Sequence, residues 1–117
     1  RARLSAIFPM QADHPQRVWQ TVAVVLPEGI DRPALRRRMR EEGIETQVAS
    51  YGLHRLSAYR DAPIFSVGGG AGLPVAEQLH QRGLALPLHL GLSDRDIDRV
   101  CESLLSALAA QGGGRAA

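Results

Sequence analysis

Lysine is absent from this chain. Arginine supplies all 14 basic residues of the 117. No residue here can form a Schiff base, act as a P-loop lysine on a phosphate, or serve as a lysine general base. Cysteine is nearly absent too. Cys101 stands alone, which excludes an internal disulfide and suits a reduced, cytoplasmic compartment. Aromatic residues make up only 4%. No stretch approaches the roughly 18 apolar residues of a membrane span, and no signal-peptide pattern opens the sequence. The first residue is Arg1 and not Met, as expected of a chain that is processed or cut from something longer.

What is present fits one domain with a real core, since a chain of this length buries roughly 65% of its unfolded surface. Residues 1–17, broken by Pro9 and Pro15, read as a lead-in segment or the remnant of a preceding element. VWQTVAVVLP (18–27) is an almost unbroken β-branched and apolar run, the pattern of a strand covered on both faces. A helix follows, with Asp31 as N-cap, Pro33 in its first turn, Leu35 and Met39 inward, and Gly43 as its stop. IETQVAS (44–50) is a second strand with Ile44, Thr46 and Val48 on one face.

Residues 51–72 form a long connection that holds Tyr51, Tyr59 and Phe65, with a short helix possible over 53–60. A connection of this length in a compact domain is functional, mobile or partly helical. LPVAEQLHQRG (73–83) predicts a helix with Val75 and Leu79 inward and Gly83 as its cap. LALPLHL (84–90) predicts a strand that Pro87 confines to an edge or cuts short. In SDRDIDRVCESLLSALAAQ (93–111) the S-x-x-D capping signal precedes apolar residues from Ile97 to Leu108 at helical spacing. The order of elements predicts an α/β sandwich: a small, mostly antiparallel three-stranded sheet covered by helices. Its body spans 18–111, and a flexible tail occupies 112–117.

Each chemical candidate has a plainer alternative. The net charge is +2 and the pI about 9.3, but RRRMR (36–40) contains i,i+4 partners in Arg37–Glu41 and Arg38–Glu42. Paired surface charge of this kind reads as a solvated helix face and not as a nucleic-acid site. GGGAG (68–72) lacks the Lys-Ser/Thr of a P-loop and reads as a hinge. His14 and His80 read as exposed and His54 and His89 as lying beside loop or strand ends; with no second ligand at metal spacing, no metal site is expected. Cys101 reads as a buried, inert thiol.

Three segments in this order resemble the C-terminal domain of the DegT/DnrJ/StrS family of nucleotide-sugar aminotransferases. VWQTVAVVLPEGIDRPALRRRMREEGIETQ (18–47) is similar to that family's strand, Asp-Arg helix start and "GI-x-T". SYGLHRLSAYRD (50–61) is similar to its "hY-x-P-L-H … Y". LPVAEQLHQRGLALPLHLGLSDRDIDRVCESL (73–104) resembles its ending, "P-x-A-E … L-x-L-P-L-H-x-x-L-S-x-x-D-I-x-x-V".

The resemblance implies the small lobe of an aspartate-aminotransferase-fold enzyme that uses pyridoxal phosphate to move an amino group to a keto-sugar. The Schiff-base lysine and most cofactor contacts lie in an N-terminal large domain. The parent acts as a homodimer in the cytoplasm on a sugar nucleotide. No catalytic residue and no bound cofactor are expected in this chain itself, and neither nucleic acid nor membrane is an expected partner. Thr46, His54 and Tyr59 match family positions and are the implied substrate-binding residues, while Pro87 and His89 match "L-P-L-H" and shape a strand end. Two departures stand out: Ala49-Ser50 where the family commonly has His-Tyr, and Gly52 where it has Pro. Tyr51, one position on, is the candidate replacement for the lost ring. The alternative is a free-standing α/β ligand-binding or regulatory module. A third reading, a basic nucleic-acid binder through Arg36–Arg40, requires steep salt dependence.

Overall fold

The computed structural model of the chain describes residues 2–10, 12, 14–59 and 72–112. Phe65, most of the expected glycine hinge (68–71) and the expected tail beyond Gly112 lie outside the described residues. Helix α1 spans Ala2–Ser5, strand β1 Val22–Val25, helix α2 Arg32–Glu41 and strand β2 Gln47–Val48. Two 3-10 turns, Leu53–Arg55 and Ser57–Tyr59, precede helix α3 (Pro74–Arg82), strand β3 (Gly83–Leu86) and helix α4 (Asp94–Gly112). The sheet order is β1-β3-β2, with both neighbours antiparallel to β3. The expected three-stranded antiparallel sheet with helices is therefore what forms.

The strands are shorter than the apolar runs that encode them. β3 is the central strand, and it begins where α3 ends and stops before Pro87, which has no N–H to extend the ladder. β1 can pair only along those four residues, Val22 opposite Leu86 through Val25 opposite Gly83. Upstream, Val18 is 85% exposed, so the run 18–27 overstates the strand. The far edge of β1 is covered by the lead-in segment: Met10 bridges Val24, and Val25 N–H donates to the Pro9 carbonyl at 3.3 Å. That segment also contributes Leu4 and Phe8 to the core.

The main core lies on one side of the sheet. Val24, Leu84 and Leu86 pack with Ile44, with Leu35 and Met39 of α2, and with Val100, Cys101, Leu104 and Ala107 of α4. The stripe expected for α2 is thus inward as read, as is the buried Cys101. Asp31 caps α2 by accepting from Ala34 N–H at 2.9 Å, and Ser93 and Asp96 form a reciprocal capping box on α4. Gln111 then reaches across from the end of α4 to bond both backbone groups of Asp31.

Two expected core residues point outward. Val75 is 68% exposed and Ile97 is also exposed. Helix α3 buries no residue fully; Leu79 instead closes a shallow depression with Ala23, Val25 and Ala49 on the other side of the sheet.

Gly83 is where α3 passes directly into β3. Its backbone is extended, with φ −71° and ψ 128°, so the glycine answers to space and not to a left-handed turn. A Cβ there would overlap the Leu79 carbonyl oxygen and lie 2.9 Å from the Ala49 Cβ. Gly83→Ala should cost about 1–3 kcal/mol through overpacking. Asp31→Ala should cost about 1 kcal/mol through the lost cap. Urea denaturation midpoints of both variants check this, and a Gly83→Ala midpoint equal to that of the parent chain would refute the close-approach argument.

Candidate functional site

The candidate residues Thr46, Tyr51, His54 and Tyr59 lie along the chain between the approach to β2 and the second 3-10 turn. Thr46 is beneath the surface. It is 3% exposed, its carbonyl accepts from Arg36 Nη2 at 2.7 Å, and its hydroxyl has no hydrogen-bond partner among the described residues. The alternation read for this strand is visible in burial: Ile44 and Thr46 are buried, Glu45 and Gln47 exposed.

Beyond β2 the chain crosses to α3 and is pinned there at successive points. Ala49 N–H donates to the Gly83 carbonyl at 3.2 Å. Gly52 N–H donates to His80 Nδ1 at 3.1 Å. His54 Nε2 and Glu77 Oε2 are 2.9 Å apart, and Arg55 grips both carboxylate oxygens of Glu77, with Nε at 3.0 Å from Oε2. Gln81 donates to the same carboxylate. The loop's own turns are closed by Arg55 N–H to the Gly52 carbonyl and by Tyr59 N–H to the Leu56 carbonyl, each at 2.9 Å. Gly52 is buried at the crossing point, where a Cβ would come within 2.9 Å of His54 Cε1.

The backbone is thus held while the rings face out. Tyr51 is 63% and Tyr59 50% exposed, flanked by exposed Leu53 and Leu56. His54 is half-buried under this surface, oriented by Glu77. Among the four candidates, Tyr51, His54 and Tyr59 share one pinned loop, and Thr46 lies apart from them, buried just before β2.

The residues that do the pinning were not singled out by sequence. Glu77 carries a signal in the "P-x-A-E" segment, and His80 one turn later is on the same helix face by i,i+3 spacing. Read from sequence as exposed and unremarkable, His80 is in fact half-buried and accepts a long-range hydrogen bond. Arg32, at the start of α2, completes the arrangement by donating Nη1 to the carbonyls of His80 at 2.6 Å and Gly83 at 3.0 Å. Burial and the neighbouring Arg36 pull the Arg32 pKa down, against an opposing effect of Tyr51.

The arginine run is tied into the fold. Arg36 holds Thr46, Arg38 reaches Ser106 Oγ at 2.9 Å and Glu42 at 3.7 Å, and Arg40 pairs with Glu45 at 3.1 Å. An open cleft of about 540 Å3 lies elsewhere, between the α2–β2 turn and the start of α4, lined by His89, Asp96 and Arg99. Its polar groups are already engaged: His89 Nδ1 accepts from Gly91 N–H, Asp96 caps α4, and Arg99 holds the Glu42 carbonyl. Among the described residues, no group of three or more His, Cys, Asp or Glu could hold a metal, and no helix is long and apolar enough to cross a membrane.

The Arg55 guanidinium and then His54 hold the Glu77 carboxyl well below the usual carboxylate range. A carboxylate whose folded pKa is depressed favours the folded state above its unfolded pKa of about 4.3, and that contribution is lost only as pH falls through the lower folded value. The clasp is therefore complete at neutral and mildly acidic pH. Glu77→Gln should free Arg55 and speed trypsin cleavage after it severalfold at neutral pH. An unchanged cleavage rate would show that the clasp does not hold the loop.

Three solved structures place this geometry in a wider context. An aminotransferase from Brucella abortus, described as DegT DnrJ EryC1 StrS, is 27% identical and covers 90% of this chain with a TM-score of 0.71. DesI, solved in the presence of its TDP-sugar product, is 34% identical over 80% of the chain, TM-score 0.62. The aminotransferase TlmJ from Streptoalloteichus hindustanus is 33% identical over 77%, TM-score 0.61. In each case the chain spans only about a quarter of the neighbour's length, 27%, 23% and 22% respectively. No curated protein sequence matches the chain. The sequence profile of the DegT/DnrJ/EryC1/StrS aminotransferases matches residues 2–105, nearly the whole of the sheet and its helices, and the chain belongs to that family.

Proposed function

We propose that this chain is the small C-terminal lobe of a pyridoxal-phosphate-dependent aminotransferase whose substrate is a nucleotide-linked keto-sugar. Its part is to shape the substrate pocket with the loop that bears Tyr51, His54 and Tyr59, together with Thr46 just before β2. The observation that carries this reading is the combination of a rigidly anchored backbone with two outward-facing tyrosines. Such a surface offers flat apolar rings and phenol hydroxyls at little entropic cost, which suits a sugar or a base.

Pyridoxal phosphate supplies the electron sink of transamination when it is bound. The residues of this chain do not fit it as a covalent cofactor, since the 117 residues include no lysine. The lysine and the phosphate cradle belong, on this reading, to a large domain against which the lobe packs, in a cytoplasmic homodimer. The lobe's own residues then bind and orient substrate. Tyr51 takes the place of the ring that family members carry one or two positions earlier, and Ala49 and Ser50 leave room beside it. His54, with one ring nitrogen committed to Glu77, helps to hold that loop in place.

Kinetics of the full-length enzyme test this. Tyr51→Ala should raise KM for the sugar nucleotide about tenfold, the loss of a stacking contact of about 1–1.5 kcal/mol, with kcat changed far less. Tyr51→Phe should fall between the two. The 117 residues alone should show no transaminase turnover. Unchanged KM in Tyr51→Ala, or turnover by the isolated 117 residues, would contradict the reading.

A further inference from the structure

The contact between Gly52 and His80 fixes a protonation state. A backbone N–H can only donate, so His80 Nδ1, 3.1 Å from Gly52 N, must present a lone pair. The ring is therefore neutral and carries its proton on Nε2. His14 and His89 accept backbone N–H groups in the same way, but from residues two positions on and in exposed turns. The His80 bond spans 28 residues, is partly buried, and joins α3 to the loop. It also depends on Gly52 having an N–H at all. In the family pattern the residue before Leu-His is proline, which has none; this chain has a flexible glycine there and a histidine opposite it.

We infer that His80 is a positioning residue that holds the Tyr51 loop only while its imidazole is neutral, which makes the loop's hinge at Gly52 sensitive to pH. Protonation puts an N–H where the lone pair was, and donor then faces donor. Histidine is the side chain whose ordinary charge change falls between pH 5 and 8.

The charged groups around His80 act in both directions. Arg32 of α2, bonded to the His80 carbonyl, opposes a second positive charge. Glu77, one turn earlier on α3, favours one, but it is already gripped by Arg55 and His54. His54 and His80 both lie against Gly52, within 3.4 Å of where its Cβ would stand. Protonation of His54 strengthens its bond to Glu77 while protonation of His80 breaks the bond to Gly52. Acidification therefore frees residues 50–52 while 54–59 stay clasped. The latch is a property of this chain; its effect on substrate rests on the function proposed above.

Hydrogen exchange of the full-length protein, corrected for intrinsic rates, tests the latch. Protection of the Gly52 amide should fall severalfold between pH 7.5 and 5.5, while the amides of Arg55, Leu56 and Tyr59 hold. His80→Asn keeps an acceptor near the same place without titrating, and should leave Gly52 protected at both pH values. His80→Phe should leave it unprotected at both. A pH response in His80→Asn equal to that of the parent protein, or full protection in His80→Phe, overturns the inference. KM for the sugar nucleotide, measured alongside, should rise at pH 5.5 in the parent and not in His80→Asn. If exchange behaves as expected and KM does not, the latch stands and the substrate role of the loop falls.

Discussion

One guanidinium joins the parts of this molecule that matter most. Arg32 sits in the first turn of α2, yet both hydrogens of its Nη1 are spent on carbonyls at the end of α3 and the start of β3. Carbonyls at a helix C-terminus lack intrahelical partners, and here a side chain from another layer supplies one. The contact fixes α2 against α3 and sets the point at which α3 becomes the central strand. Every other strand length follows from that point, because β1 and β2 can pair only along what β3 offers before Pro87.

The loop that bears the candidate residues inherits its position from the same place. Arg32 holds the His80 carbonyl and His80 Nδ1 holds Gly52; Glu77, three residues earlier, holds His54 and Arg55. A chain of polar contacts therefore runs from the first turn of α2 to the tyrosine surface. Its geometry explains how exposed rings can be presented with little freedom to lose on binding, the usual advantage of a preorganised recognition surface. On the function proposed above, that is work a lobe without lysine can do.

Much of the scaffold was legible because it is encoded locally. Asp31, Ser93 and Asp96 announce two helix starts through capping chemistry, and Leu35, Met39 and Cys101 fall on the apolar stripes those starts imply. Thr46 and Ile44 alternate with Glu45 and Gln47 as a half-covered strand should. What the chain hid depends on partners distant in sequence. The run 18–27 is longer than β1 because strand length was set by β3, not by apolarity. Val75 and Ile97 occupy helical positions that are left exposed among the described residues. His80 was missed because its partner is a main-chain N–H, which leaves no side-chain signature, and Arg32 because its acceptors are carbonyls.

The central claim is that the pinned loop meets the substrate. The most direct measurement is a structure of the full-length protein with a keto-sugar nucleotide, the proposed substrate, bound. The account predicts that Tyr51 and at least one of His54 and Tyr59 lie within contact distance, about 4 Å, of the sugar or nucleotide, with the Gly52–His80 and His54–Glu77 bonds intact. A ligand seated away from residues 46–59, with the loop ordered and its tyrosines still facing solvent, would contradict it.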